Sequence, residues 1–311
     1  MLHAPTRRTL MASGASLVLA GCATGQGAAP GLLQSPPAPL PDSHMADLRD
    51  PASGHTWRVW VQRPAGPAPR DGYPVVYVLD GNASFALAAQ LVRNQTSRPP
   101  LLRPDATIVV GIGQPGDATI NQPLRARDYT PPTPGASPRG DQGGADRLLD
   151  FIQHTLQPYI SGAFAVDSQR QTLFGHSFGG LFVLHTLFTR PQLFTRYAAA
   201  SPSIWWNDAQ VLQSCARFES TYAQAPRPFK AQLQMHAGSL ENTTAAATAE
   251  RAATQRARRM LDHTGELATR LQALQWPELV VDFTLLPGLD HGSVMAPALI
   301  AGLALASKPR V

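Results

Sequence analysis

At 311 residues the chain is long enough for one large domain, and a hydrophobic share of 43% against 15% charged residues excludes global disorder. The net charge of +5 is spread out, with no basic run or arginine-rich helix, which argues against nucleic-acid binding. The only cysteines are Cys22 and Cys215, which excludes a disulfide framework and a cysteine metal site.

In chain order, residues 1–21 read as an export signal of the lipoprotein kind. Thr6-Arg7-Arg8-Thr9-Leu10 is a basic start whose twin arginine points to the twin-arginine route, and residues 11–20 are an apolar stretch. Ten residues span roughly 15 Å as a helix, about half a bilayer core, so the stretch suits a signal better than a permanent anchor. Leu19-Ala20-Gly21-Cys22 resembles a bacterial lipobox, which makes Cys22 the expected lipidated mature N-terminus and leaves Cys215 without an intrachain partner. The expected location is periplasmic, anchored by lipid to the cell envelope. Residues 22–44, rich in Gly, Ala and Pro, read as a tether, and residues 45–307 as the folded domain.

Within that domain Trp57-Arg58-Val59-Trp60-Val61 reads as an early strand. Residues 75–79 and 107–112 are continuous apolar runs, as in strands buried on both faces of a parallel sheet. Residues 113–144 are irregular and crowded with Pro, Gly and Asp, and are expected over the carboxyl ends of the strands. A helix is expected at 147–156, ending before Pro158. Then come a short strand at 172–174, a helix at 179–189, and strands at 197–200, 232–235 and 280–285. One or two amphipathic helices fill 245–275, with Gly265 as the break. Strands alternating with helices predict an α/β fold, a mostly parallel central sheet covered on both faces.

One motif in this alternation carries chemistry. Gly175-His176-Ser177-Phe178-Gly179 follows an apolar strand and opens a helix, the context in which a strained turn pushes a serine hydroxyl out of the backbone. A serine needs a base, and of nine histidines only His291 follows the last predicted strand, where the α/β-hydrolase chain order of serine, acid and histidine puts the base. For the acid, Glu241 follows the strand ending at Gly238; Asp208 and a serine–histidine dyad are alternatives, while Asp290 adjoins His291 too closely for a good side-chain bond. The oxyanion donors are expected to be the backbone N–H groups of Phe178 and Asn82.

Tyr77-Val78-Leu79-Asp80-Gly81-Asn82, Arg127-Asp128-Tyr129-Thr130-Pro131, the elbow at 175–181, Ser201-Pro202-Ser203-Ile204-Trp205-Trp206 and Asp290-His291-Gly292-Ser293-Val294 occur in one order along the domain. Together they resemble the esterase D-like "putative esterase" family of α/β-hydrolases, and within it the IroE-type periplasmic siderophore esterases. The resemblance implies hydrolysis of catecholate trilactone siderophores, free or iron-loaded, with no cofactor. It implies that Arg127, assisted by Arg125, contacts an anionic ligand and that Trp205 and Trp206 stack on catechol rings. Ser239 and Leu289 depart from the pattern, standing where members often carry glutamate. A general carboxylesterase, a polysaccharide deacylase and a non-catalytic binding lipoprotein are the other readings.

Overall fold

A strand that is apolar at every position needs cover on both faces, and the computed structural model shows what supplies it. It describes residues 39–64, 66–99, 102–133, 142–225, 228–242 and 248–310. The expected signal, with Arg7, Arg8 and Cys22, and most of the expected tether lie outside these residues.

The strands are β1 (Ser43–Arg49), β2 (Thr56–Gln62), β3 (Tyr73–Leu79), β4 (Ile108–Gly113), β5 (Val166–His176), β6 (Arg196–Ala200), β7 (Ala231–Gly238) and β8 (Leu279–Leu286). The helices are α1 (Gly81–Thr96), α2 (Gln122–Tyr129), α3 (Ala145–Phe151), α4 (Gln157–Ala163), α5 (Phe178–Thr189), α6 (Trp206–Gln224), α7 (Ala249–Arg258), α8 (Met260–Gln272) and α9 (Met295–Ser307). The strands form one sheet in the order β1-β2-β4-β3-β5-β6-β7-β8, antiparallel at β1–β2–β4 and parallel from β4 to β8. Along β3, Val75, Tyr77 and Leu79 enter the core shared with α3, α5, α6 and α8, while Val76 and Val78 enter the core under α1 and α9. The period of two along a strand therefore divides the run between two layers, and each buried valine contributes about 1.5–3 kcal/mol.

The structure departs from the sequence expectations in four places. β1 pairs antiparallel with β2 from Ser43 to Arg49, ahead of the expected domain start at 45. The helix expected to stop before Pro158 continues through it, because a π-helical turn (Ile152–Leu156) widens the backbone just before α4, where the proline sits in the first turn. Gly265 lies inside α8; the break falls at Arg259, whose φ of 45° turns the chain between α7 and α8. The irregular stretch after β4 contains α2, capped by the Asn121 side chain accepting the Leu124 N–H. Among the described residues, no helix is long and apolar enough to cross a membrane.

Candidate active site

The parallel register brings the carboxyl ends of β5, β6 and β7 side by side, with His176 opposite Ala200 and Ala200 opposite His236. Three short loops leave this edge. The first is the elbow, where Ser177 takes φ 60° and ψ −116°, a conformation costly for a residue with a side chain. Its glycines are steric necessities: a Cβ on Gly175 would lie 2.3 Å from the Gly179 carbonyl oxygen, and one on Gly180 would lie 2.9 Å from that of Ala200. The Phe178 N–H belongs to the first turn of α5, whose amides have no partner within the helix, so it is available to a developing oxyanion beside Ser177.

The His291 Nε2 lies 3.0 Å from the Ser177 Oγ, and its Nδ1 lies 3.1 Å from the Glu241 Oε2. The Glu241 carboxylate is wholly buried, and its other oxygen accepts the Ser201 hydroxyl and the Gly238 N–H, both at 2.6 Å. Burial on its own would raise its pKa, but the bonds from His291, Gly238 and Ser201 outweigh that and hold it below the ordinary carboxylate value. Asp208 falls in a left-handed stretch of α6 (φ 52°), while the Asp290 Oδ1 accepts the N–H and hydroxyl of Ser293. Of the carboxylates considered, Glu241 is the one that meets the imidazole.

The histidine loop is held against β7 by its main chain. Leu289 offers its carbonyl to the Leu240 N–H, and the Ser239 Oγ accepts the Gly288 N–H. The departures from the family pattern at 239 and 289 thus sit in the clasp that positions the loop. Gly238 permits it, since a Cβ there would lie 2.2 Å from the Leu289 oxygen. From the other side, the His176 Nε2 donates to the His291 carbonyl at 2.7 Å.

Two cavities flank Ser177 and His291. One, of about 350 Å³, includes Phe178, Ser203, Trp205, Leu240 and Arg258 in its lining; the other, of about 300 Å³, includes Asp80, Ser84, Ile120, His176 and Met295. Arg125 lines both, with its guanidinium forked onto the buried Asp80 carboxylate at 2.6 and 2.9 Å. Arg127 lines neither. It lies along Asp128 (2.6 and 2.9 Å), a buried carboxylate that also accepts the Trp57 and Gln114 side chains, so it is bound up in packing. The Asn82 side chain turns toward β4, where it exchanges hydrogen bonds with the Gln114 backbone, while its N–H lies in the first turn of α1, which Asp80 at φ 53° starts. Trp206 is buried, with its indole N–H on Gln142, so only Trp205 of the pair reaches the cleft.

Sequence reasoning passed over Ser201, Ser203, His176 and Arg258. Ser203 places its Oγ 3.3 Å from that of Ser177. The missed signal for both serines was their position just after β6, the neighbour of the elbow strand.

A reactive-serine elbow, a carboxylate and an imidazole in this chain order, at the carboxyl edge of such a sheet, place the molecule among the serine hydrolases of the α/β-hydrolase fold. The chain belongs to the family described as "Putative esterase", whose model matches residues 51–272, and it is accordingly a serine hydrolase acting on ester bonds. It is 32% identical over 270 residues to the ferri-bacillibactin esterase BesA of Bacillus subtilis, covering 84% of this chain and 88% of that protein. It is 37% identical over 256 residues to a siderophore enterobactin esterase of Emericella nidulans, covering 73% and 80% respectively. The crystal structure of the BES protein from Bacillus cereus superposes with a TM-score of 0.76 at 32% identity, over 88% of this chain and 98% of that one.

Proposed function

We propose that this esterase opens the ester bonds of a catecholate trilactone siderophore through an acyl-enzyme, with Ser177 as nucleophile, His291 as base and Glu241 as the acid that orients it. The Ser177–His291–Glu241 chain of contacts at 3.0 and 3.1 Å carries this reading. The names of the two curated relatives, a ferri-bacillibactin and an enterobactin esterase, support the substrate class.

His291 Nε2 takes the Ser177 proton as Oγ bonds to the ester carbonyl carbon. The Phe178 N–H faces the resulting oxyanion. The carbon–oxygen bond to the alcohol half then breaks, and the imidazolium returns its proton to that leaving oxygen. Water, deprotonated by the same imidazole, attacks the acyl-serine; the acid leaves and Ser177 regains its proton. Glu241 keeps its charge throughout and stabilises the imidazolium.

Ser177→Ala is expected to lower p-nitrophenyl acetate turnover by about 10⁴-fold or more with the fold intact by circular dichroism; retained turnover would remove the assignment. The substrate class predicts a higher kcat/KM on a catecholate trilactone than on p-nitrophenyl acetate. Equal or lower values would favour a general carboxylesterase.

The same proposal places the enzyme outside the cytoplasm, exported by the signal in residues 1–21 and held to the envelope by lipid on Cys22. Cys22→Ser should move the protein from the membrane to the soluble fraction of fractionated cells, and an unchanged distribution would contradict the anchor.

A further inference from the structure

The charged groups lining the larger cavity are Arg125, Arg258, Glu241 and Asp290, besides the base His291. Three of the four are already matched. Arg125 is forked onto Asp80, Glu241 accepts from His291, Ser201 and Gly238, and Asp290 accepts two bonds from Ser293. Arg258, in the last turn of α7, forms no ion pair among the described residues. It stands over Trp205, its guanidinium carbon 4.3 Å from the ring centroid. A cation–π contact fixes a guanidinium while leaving its N–H donors for another acceptor.

This contact changes the role of Trp205. With one face covered by Arg258, the indole is a seat for a cation, and a catechol ring cannot stack on that face. We infer that Arg258, seated on Trp205, reads negative charge on the acid half of the substrate and makes the enzyme select anionic over neutral esters. The inference deepens the proposed function and rests on it for the identity of the natural ester. Partial desolvation at the cleft wall holds the Arg258 pKa below the ordinary arginine value, while the side chain as a whole is exposed, so its donors are open to an anion. A charge-assisted bond from a planar fork is stronger and more directional than a neutral one, which supplies the discrimination.

The test compares two esters hydrolysed by the full chain: mono-p-nitrophenyl adipate, whose acid half ends in a carboxylate, and methyl p-nitrophenyl adipate, its neutral counterpart. The wild-type enzyme should show the higher kcat/KM on the anion, and Arg258→Gln should erode that preference by about tenfold. Arg258→Lys, which keeps the charge without the fork, should fall between the two. A wild-type enzyme with no preference, or a preference that survives in Arg258→Gln, overturns the inference. Trilactone turnover by the wild-type enzyme tests the siderophore reading separately, so its failure would leave the adipate result standing.

Discussion

Glu241 is tied by three donors, and each makes a separable contribution. Glu241→Gln keeps the shape but removes the charge that stabilises the imidazolium, and its amide N–H₂ is a wrong partner for Nδ1–H. We expect kcat on p-nitrophenyl acetate to fall by about 10³–10⁴-fold with KM little changed; a KM-dominated loss would mean that Glu241 shapes the cleft instead. Ser201 donates to the same carboxylate while sitting at φ 41°. Ser201→Ala loses a bond to a charged acceptor and keeps the strain, costing about 2 kcal/mol in urea unfolding, whereas Ser201→Gly loses the same bond but relaxes the backbone and should cost about 1 kcal/mol less. Equal costs would show that the left-handed turn stores no strain. Ser177, Glu241 and His291, which the fold brings within 3.0 and 3.1 Å of one another, were legible in the sequence because each carries its own positional signal: an elbow motif, a strand-ending glycine, and a histidine after the last strand. The contacts of Ser201 and His176 were not: a position just after β6 puts Ser201 beside the elbow, but only the folded geometry takes its hydroxyl to Glu241 and the His176 ring to the His291 carbonyl. For Arg127 the reason is related. A motif marks a segment as shared with a family, but it does not say whether a side chain faces the cleft or a buried partner such as Asp128.

Among the elements, the strands were the most readable, since runs such as Val75-Val76-Tyr77-Val78-Leu79 leave few alternatives to burial on both faces. α9 (MAPALIAGLALAS) is apolar almost all round, so it shows no amphipathic stripe; the reason is visible in its packing under the sheet and beside α1. Gly265 looked like a break because a glycine in a helix is unfavourable, yet it lies inside α8 close to Phe283 of β8. The β5–α5 unit is the element on which the chemistry depends, and its tolerance is small. Gly175→Ala would set a Cβ 2.3–2.4 Å from the Gly179 carbonyl group, backbone that cannot retreat without unseating Ser177. This variant should lose about 4 kcal/mol or more, read as a collapse of soluble yield or of the melting temperature. A near-wild-type melting temperature would mean that strand and helix can separate, and that the elbow is less constrained than its contacts imply.

For the molecule as a whole, the fold commits buried imidazoles to the neutral form, and this sets its response to acid. His236, at the carboxyl end of β7, is 3% exposed, and its Nδ1 has no hydrogen-bond partner. Burial pushes its pKa from 6.5 down to about 4. His176 is lowered to about 4 as well, first by burial and then by the charge of His291. The sign follows from proton uptake. Between pH 6.5 and about 4 the unfolded chain binds protons that the folded chain refuses, so stability is full above 6.5 and shrinks as the pH falls through that window. Each such histidine accounts for about 3 kcal/mol across the window. Glu241 and Asp167, held below their ordinary values of 4.5 and 3.8, add losses only as the pH falls below those values, where the unfolded chain takes up protons that the folded carboxylates refuse. Urea midpoints measured from pH 7 to 4 should therefore decline steadily well before the carboxylates titrate. His236→Gln removes one titrating site from the unfolded chain, and with it about 3 kcal/mol of the decline. Were the slope the same in wild type and His236→Gln, the buried imidazole would not be what couples folding to acid, and the explanation would have to be sought in the carboxylates.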